Sequence, residues 1–258
     1  MKPGVFQIGL LWTLLGILLT SCATNRPKPG PSPEEHARLL LDVANAALVE
    51  NDPTSALEAL DRAEAIDPGL AELYNTRALA LYVKNDAPGA IESIQKSLKL
   101  APEYPDANNT YGKILLDLGR YDEAAPLLLK AAHSPYFREA YKSWTSLGIL
   151  YYRKGEISKA SEDFEKAVQG GGERACIAYY YKGHLKLREG DYTEAIRDYG
   201  LATRKWCGGF ADAHLAIGIT YERTKQYDLA RRTYLEVEQR YPNTKSAEQA
   251  VNRLKALP

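Results

Sequence analysis

Residues 144–167 read WTSLGILYYRKGEISKASEDFEKA, and the spacing of large and small residues in this stretch decides the fold. Apolar residues recur three and four positions apart, which predicts two amphipathic helices joined by a short polar turn. Two antiparallel helices approach closely only where side chains are small, and Gly148 and Ala160 supply one such position on each helix. Trp144 and Phe164 are large residues that fill the space beside this contact. The stretch therefore predicts a helical hairpin.

The hairpin pattern repeats along the chain with a period of about 34 residues. The small residue of the first helix falls at Ala44, Ala78, Gly112, Gly148, Gly183 and Gly218. Its partner on the second helix follows twelve positions later, at Ala56, Ala90, Ala124, Ala160, Ala195 and Ala230. Because one such unit cannot bury its apolar face alone, six units in one register predict a solenoid of stacked hairpins.

The composition is that of a folded protein that does not bind nucleic acid. Of 258 residues, 45% are hydrophobic and 26% are charged, which allows a sizeable core and argues against disorder. Helix formers are abundant and the alternation that marks half-buried strands is missing, which indicates an all-α class. Lysine plus arginine equals aspartate plus glutamate at 33 each, so the sequence lacks the positive field that non-specific nucleic-acid binding needs.

The repeat resembles the tetratricopeptide repeat family over residues 37–242. The residues that carry the resemblance most fully are Trp144, Leu147, Gly148, Tyr151, Ala160, Phe164 and Ala167. The resemblance implies an all-α, right-handed superhelical solenoid of about six helical hairpins, whose first helices line a concave groove. Residues 244–257 have apolar side chains at helical spacing and are expected to form a C-terminal capping helix. An insertion at 133–138 and the triple glycine at 170–172 depart from the frame, and the glycines predict a loop.

The first 33 residues read as a targeting signal followed by a tether. Lys2 precedes an apolar run from Val5 to Leu19, which is shorter than the roughly 20 residues of a membrane-spanning helix. The sequence from Leu19 to Cys22, LTSC, resembles a bacterial lipobox, in which the cysteine becomes the lipidated first residue. The alternatives are a permanent transmembrane anchor and an ordinary secretory cleavage site that includes a cysteine.

The resemblance to lipoproteins implies where the mature protein is held. Cys22 would carry acyl chains, and this covalent lipid is the one non-protein group expected, with no other cofactor. Ala23, in place of aspartate, implies sorting to the periplasmic face of the outer membrane. The domain organisation is then a signal peptide at 1–21, the lipidated cysteine and a proline-rich tether at 22–33, and the solenoid at 34–258.

Cys176 and Cys207 remain once lipid occupies the first cysteine. In an oxidising compartment they are expected to form a disulfide, and in the repeat frame both occupy the same edge of neighbouring repeats. The alternative is two free buried thiols.

The sequence contains no motif for catalysis or metal binding. It has no phosphate-binding glycine loop, no G-x-S-x-G turn and no H-E-x-x-H helix. Its histidines are scattered without ligand spacing, at His36, His133, His184 and His214. We therefore predict a protein-binding protein that is not an enzyme and that takes no small-molecule substrate.

The tetratricopeptide resemblance also implies which residues face the groove, from their positions in each repeat. These are Asn45, Asn75, Leu79, Tyr82, Asn109, Lys113, Leu116, Ile149, Tyr152, Arg153, Tyr180, His184, Leu187, Arg188 and Ile219. The recurring asparagines are able to hold a peptide backbone through a donor and an acceptor. The apolar ladder from Leu79 to Ile219 favours a bound apolar protein segment, the alternative being that these side chains only pack adjacent first helices.

Residues 108–124, NNTYGKILLDLGRYDEA, together with six repeats and a lipobox, resemble the type IV pilus biogenesis lipoproteins called pilotins, of the PilF, PilW and Tgl kind. This resemblance implies an outer-membrane lipoprotein that binds secretin subunits and promotes their localisation and assembly into a ring. The groove would then cover an apolar segment of the secretin until assembly buries it. The cysteine pair Cys176 and Cys207 departs from that family's pattern.

The last repeat indicates an alternative to the pilotin assignment. Residues 227–234 and 240–243 are similar to scaffold lipoproteins of the outer-membrane-protein assembly complex and to periplasmic coordinators of envelope constriction. An adaptor that presents substrates to a periplasmic hydrolase is a third alternative. All three assignments predict a protein partner, and the lipobox predicts attachment to the membrane through lipid.

Overall fold

The computed structural model describes residues 30–258, so the predicted signal peptide, Cys22 and most of the predicted tether lie outside the described residues. No strand occurs in this part of the chain, which confirms the all-α class. No helix in it combines the length and the apolar character needed to cross a membrane. The α-helices of the described residues are α1 (Pro33–Val49), α2 (Pro53–Ile66), α3 (Ala71–Val83), α4 (Ala87–Leu100), α5 (Pro105–Asp117), α6 (Tyr121–Ala132), α7 (Ala140–Lys154), α8 (Ile157–Gly171), α9 (Cys176–Glu189), α10 (Tyr192–Ala202), α11 (Ala211–Arg223), α12 (Tyr227–Arg240) and α13 (Lys245–Ala256).

Consecutive helices pair as six hairpins, from α1 with α2 to α11 with α12, and α13 packs on the last of them. The first helices of neighbouring hairpins also contact each other from α1 through α9. Each second helix contacts the first helix of the next hairpin. The predicted solenoid of six hairpins with a C-terminal capping helix is therefore confirmed. We call the side of the first helices that faces away from their second helices the inner face.

The start of α1 is set by a capping box. The Ser32 side chain accepts a hydrogen bond from the backbone N–H of Glu35, and the Glu35 carboxylate accepts one from the backbone N–H of Ser32. Pro33 occupies the first helical position, where its missing N–H has no intrahelical partner to lose. The sequence prediction placed Ser32 and Pro33 in the tether, whereas the capping box makes them the first residues of the solenoid.

Aspartates begin three of the second helices. Asp52, Asp86 and Asp191 accept hydrogen bonds from backbone N–H groups in the first turns of α2, α4 and α10. The three aspartates occupy the same position of their repeats, in the short turn between the first and the second helix. Each cap satisfies N–H groups that have no partner within the helix and so favours the sharp turn into the second helix.

The core of each hairpin forms where a large residue of the second helix covers a small residue of the first. A β-carbon placed on Gly112 would lie 2.6 Å from Cγ of Leu128, so no larger residue fits there at this helix separation. One large side chain on every second helix is fully buried in this way, namely Leu60, Ile94, Leu128, Phe164, Tyr199 and Tyr234.

The triple glycine does not form the predicted loop. Gly170 and Gly171 belong to the last turn of α8, and Gly172, with φ of +51°, starts the 3-10 helix Gly172–Arg174. A β-carbon on Gly171 would lie 2.7 Å from Cδ2 of Tyr141. The prediction of a loop was wrong because close packing, and not conformational freedom, explains the glycine at this position.

The insertion at 133–138 forms a packed turn between α6 and α7. Phe137 is buried, and Nδ1 of His133 lies 2.9 Å from the carbonyl oxygen of Leu129. The His133 ring meets the Trp144 ring edge-on, with 5.0 Å between centroids. The extra residues therefore extend the core of the third hairpin toward the fourth.

Candidate partner-binding surface

The predicted groove residues all lie on first helices, but the structure does not make them one continuous apolar surface. Some of the side chains are packed between helices, some are exposed and some form polar clusters. The predicted lipid site, Cys22, lies outside the described residues. The groove residues are distributed as Asn45 on α1; Asn75, Leu79 and Tyr82 on α3; Asn109, Lys113 and Leu116 on α5; Ile149, Tyr152 and Arg153 on α7; Tyr180, His184, Leu187 and Arg188 on α9; and Ile219 on α11.

Most of the predicted apolar ladder is packed and not exposed. Leu116 is only 2% exposed and belongs to a core with Leu115 and Leu147, so its assignment to the groove surface was wrong. Neighbouring first helices lie close enough that side chains between them fill the contact. The packing alternative is therefore the correct one for much of the ladder. The half-buried members that pack on core clusters are Ile149, Tyr152, Tyr180, Leu187 and Ile219.

Three of the exposed aliphatic side chains on α1 and α3 lie within about one turn of the C-terminal ends of these helices. Val49 at the end of α1 is 89% exposed, and on α3 Leu79 is 36% and Val83 is 47% exposed. Val49 and Val83 occupy the same repeat position on two helices that contact each other. Leu79 lies one turn before Val83 on the same side of α3. We call these three residues the aliphatic patch.

One of the three recurring asparagines keeps its side-chain acceptor free. Oδ1 of Asn45 accepts a 3.1 Å hydrogen bond from the Thr76 hydroxyl, and Oδ1 of Asn109 accepts a 2.8 Å bond from the Ser143 hydroxyl. Both bonds join one repeat to the next. Asn75 is 7% exposed, and its Oδ1 has no hydrogen-bond partner among the described residues. A buried acceptor without a partner is costly, so Asn75 is the one of the three asparagines whose side-chain acceptor is left unsatisfied within the described residues.

Asp117 joins three of the predicted groove residues in one polar cluster. The Tyr82 hydroxyl donates to Oδ2 of Asp117 at 2.7 Å, and Nζ of Lys113 lies 3.4 Å from the same oxygen. Nη1 of Arg153 donates to a main-chain carbonyl of α5 at 3.2 Å and lies 4.0 Å from Oδ1 of Asp117. Burial, with the hydrogen bond to Asp117, raises the pKa of Tyr82 to about 12, so this hydroxyl remains a donor at neutral pH. Asp117 was not among the groove residues predicted from the sequence, although Asp117 occupies the same repeat position as Arg153, which was among them.

Aromatic rings cluster around α9. The Tyr180 ring lies 4.4 Å from the His184 ring and 4.9 Å from the Phe210 ring, measured between centroids. The Tyr199 hydroxyl lies 3.0 Å from Nδ1 of His184. Burial, reinforced by the positive charge of Arg223, lowers the pKa of His184 and so favours its neutral form. Sequence reasoning missed Phe210 because it lies in the extended connection before α11, outside the repeat frame.

Cys176 and Cys207 are joined by a disulfide, with their Cα atoms 5.7 Å apart. Cys176 is the first residue of α9, and Cys207 ends the 3-10 helix Lys205–Cys207 that precedes α11. The structure thus contains the paired form of the two alternatives. The bond links the connection before α11 to the preceding repeat. Cys207 lies three residues before Phe210, whose ring contacts Tyr180.

The remaining histidines, His36 and His214, differ in environment. His36 is exposed on α1, and Nδ1 of His214 lies 2.7 Å from the Tyr241 hydroxyl in the core of the last repeat. Across residues 30–258, no group of histidine, cysteine, aspartate and glutamate side chains is arranged to hold a metal ion. The chemistry that these surfaces offer is hydrogen bonding, apolar contact and charge.

The repeats match a known family. A family model described as tetratricopeptide repeat matches residues 75–136, 112–175, 145–205 and 180–244, which together span well over half of the chain. The matched segments follow one another at intervals of about one repeat, as a tandem array requires. The family match and the hairpin geometry therefore describe the same units.

Similarity to individual proteins extends over most of the chain. The type IV pilus assembly protein PilF of Pseudomonas aeruginosa is 25% identical over 236 residues, which are 90% of this chain and 92% of PilF. A solved structure of Pseudomonas aeruginosa PilF superposes with a TM-score of 0.71 and 21% identity, covering 86% of this chain and 99% of that one.

Two further solved structures share the fold. PilW, described as a widely conserved type IV pilus biogenesis factor, superposes with a TM-score of 0.70 and 17% identity, covering 83% of this chain and 98% of PilW. A chain of the APC/C hetero-tetramer Cut9–Hcn1 superposes with a TM-score of 0.74 and 19% identity, covering 86% of this chain but 43% of that one. At these identities the superpositions establish the architecture alone.

Proposed function

Because this chain belongs to the tetratricopeptide repeat family, we propose that it is a non-catalytic component of type IV pilus biogenesis that binds secretin subunits and promotes their outer-membrane localisation and assembly. The observation that carries the proposal is the extent of the similarity to PilF, 90% of this chain and 92% of that protein. Similarity due to generic repeats alone is expected to cover only part of a longer array, as it does for the matched chain of the Cut9–Hcn1 hetero-tetramer. The resemblance of residues 108–124 to pilotins supports the secretin as the client.

We propose that the client segment binds on the inner face of the first three repeats. The aliphatic patch of Val49, Leu79 and Val83 offers exposed apolar surface for client side chains. Next to it lies Asn75, whose buried Oδ1 has no partner among the described residues, and a rotation of this side chain on binding would let the oxygen accept a hydrogen bond from a client backbone N–H. Apolar side-chain contacts together with main-chain hydrogen bonds are the usual means of recognising a short protein segment.

We also propose that acyl chains on Cys22 hold the protein at the periplasmic face of the outer membrane. The support is the lipobox sequence and the proline-rich sequence that follows it. Each buried methylene adds about 0.8 kcal/mol to membrane affinity, so several acyl chains give a lasting anchor. The test is metabolic labelling with palmitate and membrane fractionation of the parent and of Cys22→Ser. Equal labelling of the two proteins, or an inner-membrane location of the parent, would contradict this proposal.

The secretin proposal is tested by a pull-down from detergent-solubilised envelopes with the full-length lipidated protein as bait. The informative variant is Leu79→Glu/Val83→Glu, because both side chains are exposed and glutamate can be solvated there without disturbing the core. Leu229→Glu/Leu235→Glu is the matched control, since these leucines are exposed on α12, far along the solenoid from the aliphatic patch. Circular dichroism verifies that all three proteins are equally helical.

Recovery of a secretin by the parent and by the α12 control, but not by the α3 variant, is the expected result. Recovery of secretin by all three proteins would support the secretin as the client and would show that the aliphatic patch is not its binding site. If the parent instead recovered a barrel-assembly, envelope-constriction or cell-wall hydrolase complex and no secretin, the pilotin assignment would be wrong.

A further inference from the structure

One residue at the C-terminal end of every first helix occupies the same repeat position on the inner face, and its chemistry changes along the solenoid. The position is apolar in the first two repeats, acidic in the third and basic in the last three. Because the hairpins repeat in one register and the first helices contact one another from α1 through α9, these residues form a row along the inner face, which α11 continues with Arg223 close to His184 of α9. The row consists of Val49, Val83, Asp117, Arg153, Arg188 and Arg223.

The arginines at the end of this row are available to a ligand. Arg188 and Arg223 are exposed and form no ion pair within residues 30–258. The carboxylates next to them in sequence are already engaged. Glu189 accepts from Nζ of Lys186 at 2.8 Å, while Glu222 accepts from the Tyr234 hydroxyl at 2.6 Å and from Nη1 of a C-terminal arginine at 3.0 Å.

Arg153 is held in place but only weakly paired. Its Nη1 donates to a main-chain carbonyl of α5 at 3.2 Å, and the nearest carboxylate oxygen, on Asp117, is 4.0 Å away. That carboxylate is engaged more closely by Tyr82 and Lys113. The guanidinium of Arg153 is therefore oriented by the backbone and still has donors for a further acceptor.

Helix dipoles alone do not explain the row. A cation is favoured anywhere in the last turn of a helix, because the free carbonyl groups carry partial negative charge. Lys154, next to Arg153, and Lys186 already supply such cations, and both are paired with carboxylates. What distinguishes the three arginines is their common place on the inner face, where one extended ligand is able to reach all of them.

We propose that Arg153, Arg188 and Arg223 bind an acidic stretch of the partner segment whose apolar stretch lies on the aliphatic patch. This inference rests on the proposed function, in that a partner segment lies along the inner face. Guanidinium groups form paired hydrogen bonds with carboxylates, and charge complementarity selects the partner and its direction. Asp117, between the two parts of the row, repels an acidic stretch that is placed too close to the aliphatic patch. The surface therefore selects a segment that is apolar at one end and acidic at the other, bound in one direction.

The probe is a pair of short fluorescent peptides, each with a block of leucines separated by a flexible linker from a block of glutamates or of lysines. Binding is measured by fluorescence anisotropy with the soluble protein lacking residues 1–29, whose hairpins and caps are all retained. We expect the leucine–glutamate peptide to bind at least about ten-fold more tightly than the leucine–lysine peptide, with an advantage that declines as salt screens the charges.

The informative variant is Arg188→Glu/Arg223→Glu, which should weaken binding of the leucine–glutamate peptide about ten-fold or more and improve binding of the leucine–lysine peptide. Arg62→Glu/Arg232→Glu is the matched control, because it makes the same change in net charge with exposed arginines of second helices. The control should bind both peptides as the parent does. Equal responses of the two variants would show that net charge alone is involved and would overturn the proposal.

Three other results would also reject this inference. The first is equal affinity of the parent for the two peptides, or no binding of either. The second is loss of binding to phosphatidylglycerol vesicles by Arg188→Glu/Arg223→Glu without loss of peptide affinity, which would make the arginines a lipid site. The third is undiminished secretin recovery by that variant in the pull-down, which would leave the proposed function standing while the acidic-segment inference fails. If the parent failed to recover secretin but still preferred the leucine–glutamate peptide, the acidic-segment inference would stand and the proposed secretin-binding function would fail.

Discussion

A β-carbon placed on Gly148 would lie 2.5 Å from Cδ1 of Phe164, closer than non-bonded carbon atoms approach one another. The Phe164 ring is fully buried on α8 and covers the first helix of the same hairpin at this point. The separation of α7 and α8 therefore depends on the missing side chain. The first two repeats solve the same problem differently, since alanines there face Leu60 and Ile94, which are smaller than phenylalanine.

Gly148→Ala is expected to lower the free energy of unfolding by about 2 kcal/mol, because the added methyl group overpacks the hairpin. Gly200→Ala is the matched control. No atom lies within 4 Å of a β-carbon at that helical position, so the helix propensity of alanine should raise stability by up to about 1 kcal/mol. The double variant Gly148→Ala/Phe164→Leu should recover much of the loss, because it reproduces the alanine–leucine pairing of the first repeat. Denaturant titration followed by circular dichroism measures these proteins and Phe164→Leu alone, and additivity of the Gly148→Ala and Phe164→Leu changes would contradict this account.

Removing the disulfide with Cys176→Ser/Cys207→Ser is expected to lower the free energy of unfolding by about 3 kcal/mol, since the bond closes a 31-residue separation in the unfolded chain. A thiol reductant should destabilise the parent to the same extent and leave the variant unchanged. Thermal unfolding with and without reductant is the measurement. A parent that is insensitive to reductant after complete reduction, verified by thiol titration, would show that the bond contributes no stability.

Acidification below pH 6.5 is expected to destabilise the fold through His184, which is half-buried, and His214, which is buried. Burial lowers the pKa of both His184 and His214 below the ordinary value of 6.5. In this range the unfolded chain binds protons that the folded protein does not, so stability falls as the pH decreases from 6.5 toward the folded pKa values. His184→Gln/His214→Gln should show a smaller loss of stability between pH 7 and about pH 5 than the parent. Parallel pH profiles for the two proteins would reject the assignment to these histidines.

Replacing the buried carboxylate of Asp198 should stabilise the protein at neutral pH. Asp198 is 1% exposed, its Oδ2 has no hydrogen-bond partner among the described residues, and burial raises its pKa above the ordinary 3.8. The folded state therefore favours the protonated acid, and stability decreases as the pH rises through this range. Asp198→Thr introduces the residue of the equivalent position in the last repeat, where the Thr233 hydroxyl donates to a main-chain carbonyl at 2.9 Å.

We expect Asp198→Thr to gain about 1 kcal/mol at pH 7, with the gain shrinking as the pH is lowered toward 4. Chemical denaturation at several pH values provides the comparison. A loss of stability at pH 7 would mean that attraction to Lys182 and Arg197 outweighs the cost of burying the charge.

The substitution Asn75→Leu is expected to raise the stability of the fold and to weaken binding of the client. Leucine is close to asparagine in size and removes the buried Oδ1 that has no partner, so the free energy of unfolding should rise by about 1 kcal/mol. Loss of the same acceptor should weaken capture of the client in the pull-down. Asn109→Leu is the control, because that side chain accepts the bond from Ser143 and its loss should destabilise the stacking of repeats. A variant at Asn75 that is more stable and binds the client fully would exclude a role for this acceptor in recognition.

The hairpins, their number and their register follow from the sequence alone. The small residues Gly148 and Ala160 and the large residue Phe164, four positions after Ala160, specify which sides of the two helices meet. Helical spacing shows directly which residues share one face of a single helix. The capping helix after residue 244 is recognisable for the same reason. The end of the tether was harder to predict, since the Ser32 capping box makes a helix start out of residues that also suit an extended linker.

Only the tertiary structure decided which inner-face residues remain available. Leu79 and Leu116 both occupy inner-face positions of their repeats, yet one is exposed and the other is buried by the neighbouring hairpin. Asn75 and Asn109 also occupy equivalent repeat positions. Oδ1 of Asn109 accepts a hydrogen bond from a serine of the next repeat, whereas Oδ1 of Asn75 has no partner among the described residues. These differences depend on the distance and the side chains of the adjacent repeat, which periodicity within one helix does not report.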